Sequence, residues 1–207
     1  MLQNESIYHI YNHANGNENI FTEDRNYHFF LDKMATYLLP VAKIYAYCLM
    51  QNHFHLAVGI RSVQEINNIF KKTDVAANFE IQNNQEQQYA FEKITSKSFS
   101  NLFSSYTQAF NKLYNRKGSL FMSNFKSNLI TSDLQFCKII HYIHANPVHH
   151  GFVKKFDGWK YSSFLSFISD KNTSLEREYV LDIFGGRRSF LQYHAQPIDL
   201  KLKWHDE

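Results

Sequence analysis

The sequence predicts an α+β fold. Residues 6–14 (SIYHIYNHA) alternate large apolar with polar side chains, as a strand does. Residues 42–50 and 53–60 are two further apolar runs broken only by Gln51 and Asn52, which reads as a hairpin. Segments of helical periodicity separate and follow these runs, so the order through the first third of the chain is strand, helix, strand, strand, helix.

Each element has a local cause. Asn15, Gly16 and Asn17 close the first strand with a turn. Thr22 is placed to cap a helix over 23–39, with Glu23 and Asp24 in its first turn and Phe29, Phe30, Met34 and Tyr37 along it, and Pro40 ends it. Ser62 and Glu65 form a capping box for a helix holding Val63, Ile66, Ile69 and Phe70. Residues 78–88 turn polar and Gln/Asn-rich, which reads as a mobile loop or an extended helix tip without chemistry. A helix over 98–114 then spaces Phe99, Leu102, Phe103, Tyr106, Phe110 and Leu113 along one stripe.

After a basic turn at Asn115 to Gly118 comes a strand over 125–131, and Asp133 caps a helix over 134–145. Pro147 disfavours helical geometry at Asn146, so the helix is expected to finish there. The remainder holds DGWKYSSF, a helix over 175–184, a Gly185-Gly186 break and a short last helix with Arg187, Arg188 and Phe190. This divides the chain into a main unit, 1–150, and a helical C-terminal extension, 151–207, packed on it.

The 207 residues are enough to bury a real core, and the 19 Phe and 13 Tyr serve mainly there. A net charge of +3 permits a nucleic-acid partner without demanding one. Cys48 and Cys137 lie in apolar segments without metal-type spacing, which reads as two reduced, buried thiols. No apolar run approaches the roughly 18 residues that span a bilayer, and no signal peptide is visible, so a cytoplasmic protein with no membrane partner is expected.

Two stretches carry chemistry. In MQNHFHLAV, His53 and His55 fall on one face of a strand while Phe54 points into the opposite layer, so the two imidazoles can share a metal ion. Such pairs are also common as satisfied polar groups, and a metal needs a third ligand from elsewhere. In the helix after Asp133, Tyr142 and Asn146 lie one turn apart on the same face, with His141 and His144 on others. The segment from Arg116 and Lys117 through Phe121, Phe125 and Lys126 is suited to grip a single strand, cations tracking phosphates and an aromatic ring stacking on a base. It reads equally as a solvated turn leading to an edge strand.

The segments YHIYNHANGNENIF, AYCLMQNHFHLAV, GSLFMSNFKS, YIHANPVHHGFV and WKYSSF, in this order and spacing, resemble the single-tyrosine HUH transposases, in particular the branch associated with repetitive extragenic palindromes. The resemblance implies a ferredoxin-like antiparallel sheet backed by helices that cuts and rejoins single-stranded or hairpin DNA through a 5′-phosphotyrosine. It implies Tyr142 as nucleophile and His53, His55 and Asn146 as ligands of a divalent ion, Mg²⁺ or Mn²⁺, in a monomer or a homodimer, while the DNA contacts expected from Arg116, Lys117, Phe121 and Lys126 rest on the basic and aromatic character of their stretch. Gln51 stands where relatives commonly have proline, and Asn124 where arginine is common, which would weaken one phosphate contact. Two other readings remain open: a single-strand-binding module without chemistry, and a phosphodiesterase whose nucleophile is a metal-activated water.

Overall fold

The structure is a computed structural model and describes residues 2–71 and 84–197. Its centre is a four-stranded antiparallel sheet of β1 (Ile7–His13), β2 (Ala42–Leu49), β3 (His53–Ile60) and β4 (Lys126–Ile130), in the order β2-β3-β1-β4. Every residue of β3 is buried, because β3 lies between two strands and is covered on both faces. The helices are α1 (Asp24–Leu38), α2 (Val63–Lys71), α3 (Asn84–Leu113), α4 (Asp133–His149), α5 (Phe164–Ile168), α6 (Arg177–Phe184) and α7 (Arg187–His194). Strand order and connection make the arrangement ferredoxin-like.

The period of two along a strand gives the sheet two unlike faces. Phe54 leaves β3 on one side and meets Phe30 of α1 (ring centroids 5.3 Å apart), Phe103 of α3 (5.7 Å) and Phe121 (6.0 Å). Tyr106 joins the cluster and donates its hydroxyl to the carbonyl of Ile20 at 2.5 Å. Each such ring pair contributes about 0.5–1.5 kcal/mol beyond its buried area, so this aromatic layer is the main core. The other face carries His53 and His55, and α4 packs on it, against β2 and β3. Cys48 and Cys137 are free and buried.

Several boundaries differ from the sequence reading, each for a local reason. Glu23, not Thr22, is the N-cap residue of α1. The Asn26 side-chain oxygen accepts from the backbone N–H of Thr22 (2.9 Å) and Glu23 (3.0 Å) and from the Thr22 hydroxyl (2.8 Å), which moves the cap one residue on. The capping box at Ser62 and Glu65 forms with both bonds in place, at 2.9 and 3.1 Å. Of the polar stretch 78–88, residues 78–83 lie outside the described residues and 84–88 are the first turns of α3, which runs 30 residues rather than beginning near Ser98.

Helix α4 is capped by Ser132, whose hydroxyl oxygen accepts from the N–H of Gln135, and it does not stop at Asn146. It continues through Pro147 to His149. The proline offers no N–H to the carbonyl four residues back, but the next turn closes with the N–H of His150 on the carbonyl of Asn146 at 3.0 Å.

At Gly59 of β3 the Tyr45 side chain of β2 fills the space a Cβ would need. A Cβ at that position would lie 2.8 Å from Cε2 and 2.9 Å from Cζ of Tyr45, beside the register shift between Ile44 and Ala46. Gly59→Ala is therefore expected to destabilise the fold by about 1–3 kcal/mol through overpacking, read from the urea unfolding midpoint. An unchanged midpoint would show that Tyr45 is free to move aside.

Candidate metal centre

The register of β1 on β3 builds the site. His13 stands opposite His53 and Tyr11 opposite His55, so His9, Tyr11 and His13 share a sheet face with the pair. The rings of His13 and His53 stack at 4.8 Å and those of His9 and His55 at 5.2 Å. Helix α4 lies over this field and brings Tyr142 and Asn146 to it. The Tyr142 ring stands edge-on to His55 at 5.4 Å and to His9 at 5.9 Å.

The Asn146 amide sits between the two histidines. Its oxygen is 3.0 Å from Nε2 of His53, and its nitrogen donates to Nε2 of His55 at 3.1 Å. Since Nε2 of His55 accepts, its Nδ1 carries the proton and donates to Nε2 of His9 at 3.0 Å. The His55 ring is thereby oriented with its lone pair on the side of α4.

His53 is held differently. Its Nδ1 is 2.8 Å from the Asn52 side-chain oxygen, so both ring nitrogens face oxygen acceptors. Burial pushes its pKa down to about 4, with the Asn146 bond opposing, so at neutral pH the ring has one proton for two acceptors. With that proton on the Asn52 side, lone pairs of His53 and Asn146 confront each other, an arrangement that a cation between them relieves.

The donor set fits a divalent ion. Ligands at adjacent corners of an octahedron with bonds of about 2.1 Å are about 3 Å apart, the separation of the Asn146 oxygen from Nε2 of His53, while at His55 it is the amide nitrogen that lies at 3.1 Å. Two imidazoles and an amide oxygen make a mixed nitrogen and oxygen set, which suits Mn²⁺ at least as well as Mg²⁺. Burial drives His55 well below the ordinary imidazole range and His9 to about 3, which leaves the rings neutral, the form that ligates. Among the described residues no group of three His, Cys, Asp or Glu side chains could hold a metal, so the amide is what completes this set.

The remaining sequence candidates fare unequally. Lys117 and Lys126 are exposed. Arg116 is committed to the protein: it pairs with Glu18 and donates to the carbonyls of Gly118 (3.1 Å) and Ser119 (2.7 Å). Phe121 is only 5 % exposed, and its ring packs against Phe54, Phe103 and Tyr106, so it has no face free for a base. Arg116 and Phe121 thus serve the protein's own packing, while Lys117 and Lys126 stay at the surface.

Sequence reasoning missed His9 and His13, although the same alternation that paired His53 with His55 runs through residues 9, 11 and 13. It also passed over the turn after α4. There His150 meets His53 at 5.4 Å, Lys154 and Lys155 are exposed, and Phe152 is 43 % exposed beside Trp159 at 5.6 Å. A cationic and aromatic surface thus leads away from the imidazoles.

No family model matches the chain, and no curated protein does. Among solved structures, the chain shares its fold with a REP-associated tyrosine transposase bound to a REP hairpin. The TM-score is 0.55 and the identity 14 %, over 82 % of this chain and 83 % of that one. No helix among the described residues is long and apolar enough to cross a membrane.

The buried imidazoles also set an acid limit. His9 and His53 bind protons less readily folded, near 3 and 4, than unfolded, near 6.5. Their contribution to stability is present in full above about pH 6.5 and is lost as the pH falls toward 4. The urea midpoint is expected to decline steadily between about pH 6.5 and 4.5. A flat profile would mean that these rings are not held neutral.

Proposed function

We propose that this protein is a metal-dependent transposase or nickase of the single-tyrosine HUH type, which cuts and rejoins single-stranded or hairpin DNA. The observation that carries the reading is the position of Asn146: it joins His53 and His55 one helical turn after Tyr142, which stands over His55. Nucleophile and candidate ligands therefore meet at one place from two separate elements. The shared fold with a hairpin-bound transposase supports the DNA partner.

His53, His55 and Asn146 would hold a divalent ion, whose chemistry is to neutralise the non-bridging oxygens of the scissile phosphate. Tyr142 attacks the phosphorus through its phenolic oxygen. The new bond joins that oxygen to the 5′-phosphate, the bond to the 3′-oxygen breaks, the phenol gives up its proton and the 3′-oxygen takes one up. A tyrosine with an unperturbed pKa of about 10 needs this help at neutral pH. The phosphodiester energy is kept in the phosphotyrosine, so the reverse attack by a 3′-hydroxyl rejoins DNA without ATP.

His9 orients His55 in this reaction, as outer-shell partners of metal-binding histidines do. The DNA path runs over the exposed Lys117 and Lys126 and over Phe152, Lys154 and Lys155 beside the site. Residues 1–150 are the catalytic unit of this reading, and α6 and α7 pack against α4.

The test is a denaturing gel of the protein incubated with Mn²⁺ and hairpin DNA from the sequence flanking its own gene. Wild type is expected to give a protein band shifted by covalent DNA, absent in Tyr142→Phe and with chelator. Asn146→Ala is expected to lower the rate by at least about tenfold. Cleavage that survives in Tyr142→Phe would assign the attack to water instead.

A further inference from the structure

A second histidine cluster lies behind α4, away from the candidate ligands. His144 is two residues from both Tyr142 and Asn146, which places it about 160–200° around the helix from each. It is fully buried, as is His194 of α7 at 2 % exposure. Nδ1 of His194 is 2.8 Å from the carbonyl of Phe190, which only accepts, so this nitrogen carries the proton and Nε2 accepts. That Nε2 is 2.9 Å from Nδ1 of His144, so His144 donates there and its own Nε2 accepts from the Ser163 hydroxyl at 2.8 Å.

Ser163 is fastened to the sheet in turn. Its oxygen accepts from the Tyr47 N–H at 2.9 Å, and its backbone N–H donates to the Tyr47 carbonyl at 2.9 Å. One directed chain of hydrogen bonds therefore runs from α7 through α4 to β2. Phe190 closes over the His194 ring at 4.0 Å, and Phe164 lies at 5.4 Å. The Ser163 hydroxyl also lies 3.1 Å from the Tyr47 carbonyl, so His144, at 2.8 Å, is the nearer of its two acceptors.

We infer that His194 and His144 are positioning residues, through which the C-terminal helices hold α4 so that Tyr142 and Asn146 point at the imidazole face of the sheet. This rests on the proposed metal-dependent cleavage. Apolar contact alone lets a helix roll, whereas a histidine bonded at both nitrogens fixes its rotation. A roll of about 20° would carry a tyrosine hydroxyl, roughly 9 Å from the helix axis, through about 3 Å. Displacements of that size are enough to spoil an in-line attack. The hold is needed where it falls, because Pro147 leaves the carbonyl of Ile143 without its usual helical donor beside Asn146.

The experiment is a Mn²⁺ titration of the full chain, free Mn²⁺ being read by electron paramagnetic resonance, with circular dichroism as the folding control. His194→Leu removes the bonds and keeps an apolar side chain. It is expected to weaken Mn²⁺ binding by about tenfold or more while the dichroism stays native. His194→Gln, whose amide can give to Phe190 and accept from His144, is expected to return the affinity to within about threefold of wild type. A folded His194→Leu that binds Mn²⁺ as wild type does overturns the inference.

Should His194→Leu fail to fold, Ser163→Ala removes only the hydroxyl at the other end of the chain. It is expected to weaken Mn²⁺ binding in the same direction, and wild-type affinity in that variant is equally fatal. A wild-type protein that binds no Mn²⁺ would defeat the proposed function itself and this inference with it.

Discussion

The side-chain amide of Asn146 makes the contact on which the rest of the site depends, its oxygen at His53 and its nitrogen at His55. The amide comes from a different layer of the fold than the two histidines. The site therefore exists only when α4 is seated on the sheet at one height and one rotation. A buried amide left without these partners would cost about 1–3 kcal/mol, so the contact also reports that the seating is complete.

Two physical demands are met by the two faces of one sheet. On the α1 and α3 side, Phe54 anchors a layer of packed rings against which β3 is seated. On the α4 side, neighbouring positions of the same strand present imidazoles, kept neutral by burial and fixed in orientation by hydrogen bonds from outside the pair. His9 does this for His55, and Asn52 for His53. A rigid strand with the candidate ligands on one face gives a placement that a loop could not. The histidines behind α4 treat the helix as His9 treats His55, fixing from the far side what has to point to the near side.

How much of this was legible in the sequence follows from how local each cause is. The alternation of His53, Phe54 and His55, the capping box at Ser62 and Glu65, and the one-turn spacing of Tyr142 and Asn146 are set by neighbours a few residues away, and they stand in the structure as the sequence implies. The ends of α1 and α4 depend on Asn26 folding back and on a helix tolerating Pro147, contexts that propensity does not carry. Phe121 and Arg116 looked like a DNA grip because they are aromatic and cationic in a polar stretch. The fold turns Phe121 into the ring core and spends Arg116 on Glu18 and two carbonyls. His9, His13 and the His144–His194 contact depend on strand register and on residues 50 positions apart, and no local pattern shows that they meet.

The central claim is that His53 and His55 bind one metal ion together with Asn146. Pulsed electron paramagnetic resonance of the Mn²⁺-loaded protein tests it directly, because imidazole nitrogens bound to manganese modulate the electron spin echo. The account predicts the signature of two coordinated histidine nitrogens in wild type, reduced to one in His53→Ala and in His55→Ala and still two in Asn146→Ala. Modulation from no histidine nitrogen, or a two-nitrogen pattern that survives loss of either His53 or His55, would contradict it.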